Sequence, residues 1–178
     1  MASNAPDTNL RILVLWSHLP YYAFACLRAA AERTTHRIDV VSLGPGPNGD
    51  LADERLSIEV LPQDAGLRRF APIVRRVRGG AYDVVLVGGW AHPGLLAVAA
   101  AARSVGTMAV CLSDTPWKTQ LRQIMRVAVS SPVIRKLFDA IWIPGERALP
   151  LASALGFAGH QIWTGLYSRS EEHTSELQ

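Results

Sequence analysis

The stretch "YDVVLVGGWAHPGLLAVAAAARSVGTMAVCLSD", residues 82–114, holds three textures in succession and decides how the rest of the chain is read. Its opening, Tyr82 to Gly88, is apolar on consecutive positions after Asp83, as a parallel strand covered on both faces should be. Ala- and Leu-rich sequence follows from Pro93 to Val105, with Pro93 suited to a first helical turn and Gly106 to a helix stop. A second apolar run, Met108 to Asp114, completes a β-α-β unit.

The same alternation extends in both directions. Strands are expected at "RILVLW" (Arg11 to Trp16), "IDVVSL" (Ile38 to Leu43), "SIEVLP" (Ser57 to Pro62), "AIWIPG" (Ala140 to Gly145) and "QIWTG" (Gln161 to Gly165). Helices are expected at Tyr21 to Thr34, Leu67 to Arg78, Trp117 to Val129 and Glu146 to Leu155. Gly44 to Arg55, "GPGPNGDLADER", is a turn-rich connector without periodicity, expected to be a flexible loop. The pattern predicts an α/β fold: a Rossmann-like, doubly wound, mostly parallel sheet with helices on both faces and strand order 3-2-1-4-5-6.

Composition sets the bounds. With 178 residues, 49% hydrophobic and 19% charged, the chain suits one packed domain or half of a two-domain enzyme. Its longest apolar run, Gly94 to Ala102, is too short to span a bilayer, and "MASNAPDTN" has no signal-peptide core, so a cytoplasmic location is expected. Cys26 and Cys111 stand far apart, outside any CxxC pattern, and read as small buried hydrophobes.

In a doubly wound sheet, ligands bind beyond the carboxyl ends of the strands, where strand order reverses. The loop after the first strand, "WSHLPYY", has no glycine, whereas a dinucleotide site needs G-x-G-x-x-G there. An NAD enzyme is therefore disfavoured, and no resident cofactor is expected. Ser17, His18, Tyr21 and Tyr22 offer hydrogen bonds and rings for a polar organic ligand; Ser17 serves equally as a helix N-cap and His18 as a surface residue. After the fourth strand come Gly88 and Gly89, able to turn tightly or approach a ligand, then Trp90 and His92. No Cys, Asp or second His lies at metal spacing from His92, so no metal site is expected. After the fifth strand, Asp114 reads either as an N-cap or as a carboxylate that meets a substrate hydroxyl, the one candidate catalytic residue. Glu146, at the sixth strand's end, reads first as a helix-start acid.

Arg68, Arg69, Arg75, Arg76 and Arg78 crowd one helix, and Arg122, Arg126, Arg135 and Lys136 mark a later stretch. Such charges are ordinarily a solvated face; the alternative is a basic, partly apolar surface that meets anionic lipid or an anionic acceptor. Nucleic acid is not an expected partner, because no recognised module or aromatic-interleaved basic strand accompanies them.

"RILVLW" with its aromatic–Pro loop, "YDVVLVGGW", "SD" and "FDAIWIPGERALPLASALGFAGHQIWTGLYS" together resemble the N-terminal half of a retaining glycosyltransferase of the family 4 type, over Arg11 to Ser168. The resemblance implies half of a GT-B fold, in which this half binds a saccharide or lipid-linked acceptor and a second, donor domain binds a nucleotide-sugar co-substrate. By position, Ser17, His18, Tyr21, Tyr22, Gly89, Trp90, His92 and Asp114 would line the acceptor side. It also implies peripheral contact with the inner face of a membrane as an option. Two departures stand out: the Gly-Gly pair often found after the first strand is missing, and the donor domain with its basic residues and paired glutamates is not encoded. A stand-alone Rossmann-like binding module and a truncated sugar-nucleotide epimerase are the competing readings.

The ending "RSEEHTSELQ", Arg169 to Gln178, lacks apolar periodicity and reverses the charge of the body, three Glu against one Arg. It equals, residue for residue, the translation of the sequencing-library adapter AGATCGGAAGAGCACACGTCTGAACTCCAG. The expected organisation is a disordered start over residues 1–10, a glycosyltransferase-like domain over 11–168, and a non-native tail over 169–178 that marks where the natural chain was cut.

Overall fold

A computed structural model of the chain describes residues 9–44, 56–115 and 120–165. The expected disordered start up to residue 8, the connector over 45–55, and the tail over 169–178 lie outside the described residues.

Seven parallel strands form one sheet: β1 (Arg11–Trp16), β2 (Arg37–Leu43), β3 (Leu56–Leu61), β4 (Val84–Gly88), β5 (Met108–Leu112), β6 (Ala140–Ile143) and β7 (Ile162–Thr164). Their order is β3-β2-β1-β4-β5-β6-β7, the expected doubly wound arrangement with β7 added at the β6 edge. The order reverses beside β1, so the ends of β1 and β4 frame the switch point.

The helices are α1 (Tyr21–Arg33), α2 (Leu67–Arg78), α3 (Pro93–Ser104), α4 (Leu121–Leu137) and α5 (Leu149–Ala154). On one face of the sheet, Leu13, Leu15, Val85, Val87, Cys111 and Ile141 join Phe70 of α2, Leu95 of α3, Ile134 of α4 and Leu151 of α5 in the larger core. On the other, Val14, Ile38 and Val40 pack with Ala23 and Phe24 of α1. The alternation along β1, Val14 one way and Leu13 and Leu15 the other, follows from the two-residue period of a strand. Cys111 is fully buried and its thiol pKa is pushed up to about 12 by burial, the character of an inert hydrophobe. Cys26 is only half-buried.

Three boundaries differ from the sequence pattern for identifiable reasons. β4 begins at Val84, one residue after Asp83, whose N–H donates to the Arg11 carbonyl at 2.9 Å while its carboxylate accepts the Arg11 N–H at 2.8 Å and pairs with its guanidinium at 3.0 Å. α4 begins at Leu121, later than Trp117, and runs through Pro132 to Leu137. Proline removes one donor from the ladder, yet Val127 and Ile134 on either side are buried and Ser131 donates to the Leu155 carbonyl at 2.8 Å, so tertiary packing carries the helix across. The segment from Glu146 divides into a 3-10 turn, Glu146–Ala148, followed by α5 with Pro150 in its first turn.

Candidate functional site

A cavity of about 270 Å³ opens at the carboxyl ends of β1, β4 and β5, where the topology predicts a ligand. Trp16 and Ser17 line it from β1, Gly88 to Ala91 from β4, and Leu112 to Thr115 from β5. α4 adds Gln123, Arg126 and Val127, and α5 adds Leu151.

The loop after β4 is shaped by its backbone. Gly89 has φ +86°, a left-handed conformation that side chains disfavour, and its N–H donates to the Leu112 carbonyl at 3.0 Å. That bond ties the loop to β5 and turns Trp90 into the cavity wall, packed against the larger core. His92 then ends the loop as the N-cap of α3: its Nδ1 accepts the Gly94 N–H at 3.1 Å, and its ring lies 5.2 Å from that of Phe70.

The loop after β1 is held by Leu19, which is buried and whose N–H donates to Ser42 Oγ at 3.3 Å. The N-cap of α1 is Pro20, so Ser17 is not the cap; it lines the cavity. Asp114 is not a cap either, since α4 is preceded by Gln120. Its carboxylate instead accepts a hydrogen bond from the Tyr22 hydroxyl at 3.2 Å. Burial, then the charge of Asp114, raises the Tyr22 pKa, so this tyrosine stays a neutral donor.

Ser17, Gly89, Trp90 and Asp114 are therefore brought together, with Tyr22 joined through Asp114. His18 and Tyr21 are exposed and stand outside the lining, and His92 is engaged in capping. Sequence reasoning passed over Trp16, Ser113, Gln123 and Arg126. Arg126 carried a usable signal: Gln123, Arg126 and Val127 share one helix face by their three- and four-residue spacing.

Two polar atoms in this wall, Trp90 Nε1 and Ser113 Oγ, are buried without a hydrogen-bond partner among the described residues. Leaving such groups unpaired costs about 1–3 kcal/mol each. Two indole faces, the hydroxyls of Ser17 and Thr115, the Asp114 carboxylate and the Arg126 guanidinium make a lining suited to a polyhydroxylated molecule: rings pack on C–H faces while polar groups bond hydroxyls. Among the described residues no three His, Cys, Asp or Glu side chains gather to hold a metal ion.

No protein-family model matches the chain, and no curated protein matches it. Solved structures do. HepE of Anabaena, crystallised with UDP and glucose, aligns with TM-score 0.61 and 19% identity over 95% of this chain and 49% of its own. A UDP-GlcNAc 2-epimerase of Neisseria meningitidis, bound to UDP-GlcNAc, aligns with TM-score 0.54 and 9% identity over 87% of this chain and 45% of its own. A short-chain dehydrogenase/reductase of Veillonella parvula aligns with TM-score 0.51 and 10% identity over 75% and 68%. The chain thus spans about half the length of HepE and of the epimerase. At these identities the likeness is one of fold: a Rossmann-like α/β unit of the kind that forms half of GT-B-like enzymes.

Proposed function

We propose that this chain is the acceptor-side half of a two-domain retaining glycosyltransferase, which moves a sugar from a nucleotide-sugar donor to a saccharide or lipid-linked acceptor at the cytoplasmic side of the cell. The observation that carries the reading is the cavity itself. Two indoles, a carboxylate and several hydroxyls converge at the switch point of a fold shared with half of HepE.

In this reading Trp16 and Trp90 stack on the acceptor, and the hydroxyls of Ser17 and Thr115 bond its hydroxyls. Asp114, oriented by Tyr22, accepts the hydrogen bond of the hydroxyl that attacks. The nucleotide-sugar is held by a second domain facing this cavity, and no resident cofactor or metal takes part. A Rossmann-like module that binds a small molecule without turnover would use the same lining.

The test combines binding with turnover. The purified chain should bind oligosaccharides with a change in tryptophan fluorescence, lose that binding on Trp90→Phe or Asp114→Asn, and show no turnover of UDP-sugars. Robust sugar transfer by this chain alone would overturn the half-enzyme reading. The fold match to the epimerase supports a second reading, half of a sugar-nucleotide epimerase. It predicts that the cavity prefers a UDP-sugar to any free saccharide.

A further inference from the structure

Helices α2 and α4 carry nine of the chain's eighteen Lys and Arg residues and no Asp or Glu, so their outward charge is of one sign. Both pack their apolar residues into the same core on the same side of the sheet, which points Arg68, Arg69, Arg75 and Arg78 away from it. Among the described residues none of those four has an ion pair, while Arg76 meets Glu59 at 2.8 Å.

α4 is more unusual. It buries only Val127 and Ile134, and its outer side is apolar. Leu121, Met125, Val129 and Val133 are 73%, 60%, 77% and 49% exposed. Each lies four residues after the last, so they form one continuous stripe about 18 Å long. Ile124 is exposed beside them. Arg122 and Arg126 border the stripe on one side and Arg135 on the other, with Lys136 at its end. A solvated helix places polar residues where these apolar ones stand.

An apolar stripe on a helix whose only charged residues are cations matches an anionic bilayer, whose acyl chains accept the stripe and whose phosphates accept the cations. We propose that α4 docks this protein on an anionic lipid surface, lying in the plane of the interface with Leu121, Met125, Val129 and Val133 among the upper acyl chains. Arg122, Arg135 and Lys136 reach the phosphates, and the α2 arginines add attraction at longer range. No helix among the described residues is long and apolar enough to cross a membrane, so α4 lies on the surface. Because Gln123, Arg126 and Val127 of the same helix line the cavity, docking holds its mouth beside the headgroups. That last consequence, delivery of a lipid-linked acceptor, rests on the proposed function; the docking does not.

The experiment is flotation of the purified chain with vesicles of phosphatidylcholine alone or mixed with phosphatidylglycerol, at low and high salt. Binding is expected only with phosphatidylglycerol, weakened by salt. Met125→Ser with Val129→Ser should reduce it at least about tenfold, since two exposed side chains lose their apolar contact. Arg122→Ala with Lys136→Ala should weaken binding and flatten its salt dependence. Circular dichroism should be unchanged in both variants, because all four residues are exposed. Absence of binding to phosphatidylglycerol vesicles would overturn the proposal, as would binding indifferent to the Met125 and Val129 changes. So would a dimer of the chain that those changes dissociate while lipid binding persists, which would make the stripe an interface between copies. Loss of saccharide binding with lipid binding intact would sink the acceptor reading alone.

Discussion

Replacing Gly94 with Ala tests how the cavity loop is supported. Gly94 is the second residue of α3 and is buried against α2. A methyl group built there would lie 2.2 Å from Phe70 Cε2 and 2.3 Å from Cδ2, whereas unstrained carbon contacts begin near about 3.5 Å. The ring would have to retreat by more than about 1 Å, and it is fully buried in a close-packed core. Overpacking of this kind costs about 1–3 kcal/mol, and alanine's helix preference over glycine returns at most about 1.

A net loss of about 2 kcal/mol corresponds to a fall of about 4–8 °C in Tm for a domain of this size. Urea denaturation and thermal melting should both report it, and Phe70→Leu in the Gly94→Ala background should restore at least half by making room for the methyl. The His92 cap and the Phe70 ring share this corner, so the cavity loop should loosen with it. Gly94→Ala at unchanged or increased stability would refute the packing argument, and so would failure of Phe70→Leu to rescue.

Tyr82 donates to Asp39 at 2.8 Å, and burial, then that bond, pushes its pKa up to about 12 from the ordinary 10.0. The folded state holds this proton more tightly than the unfolded one. The stabilisation is therefore complete below pH 10 and is lost as pH rises through about 12. Against Tyr82→Phe as the reference, the wild type should lose about 1–2 kcal/mol across that window, allowing for partial solvent access, and a constant difference would contradict the linkage.

The sheet was legible because its signal is redundant. Val84 to Gly88 and Met108 to Leu112 are apolar at every position but the terminal glycine, and a parallel strand between two helical layers has no other way to be written. The lining of the cavity was legible only where strand ends determine it, as with Ser17, Gly89, Trp90 and Asp114. The capping role of His92 was less plain in "GGWAHP", because a capping imidazole and a binding one are spelled alike; its place directly before the helix-starting Pro93 was the available clue. Gln123 and Arg126 lay within the expected helix and share a face with Val127, but only the docking of α4 over the ends of β4 and β5 brings that face to the cavity.

The extent of α4 carries a further consequence. A helix ending at Val129, as Ser130, Ser131 and Pro132 suggest, would carry a short apolar patch and two arginines. Continued to Leu137 by the burial of Ile134 and the bond from Ser131 to Leu155, it gains Val133, Arg135 and Lys136 and becomes a stripe with cations on both edges. The same continuation anchors its C-terminal half through Ile134 and Ser131, while Val127 seats the cavity-lining half in the same core. One helix thus connects the cavity wall to the outer surface. A substitution that weakens its seat, such as Ile134→Ala, acts on both, whereas Met125 and Val129 touch only the surface.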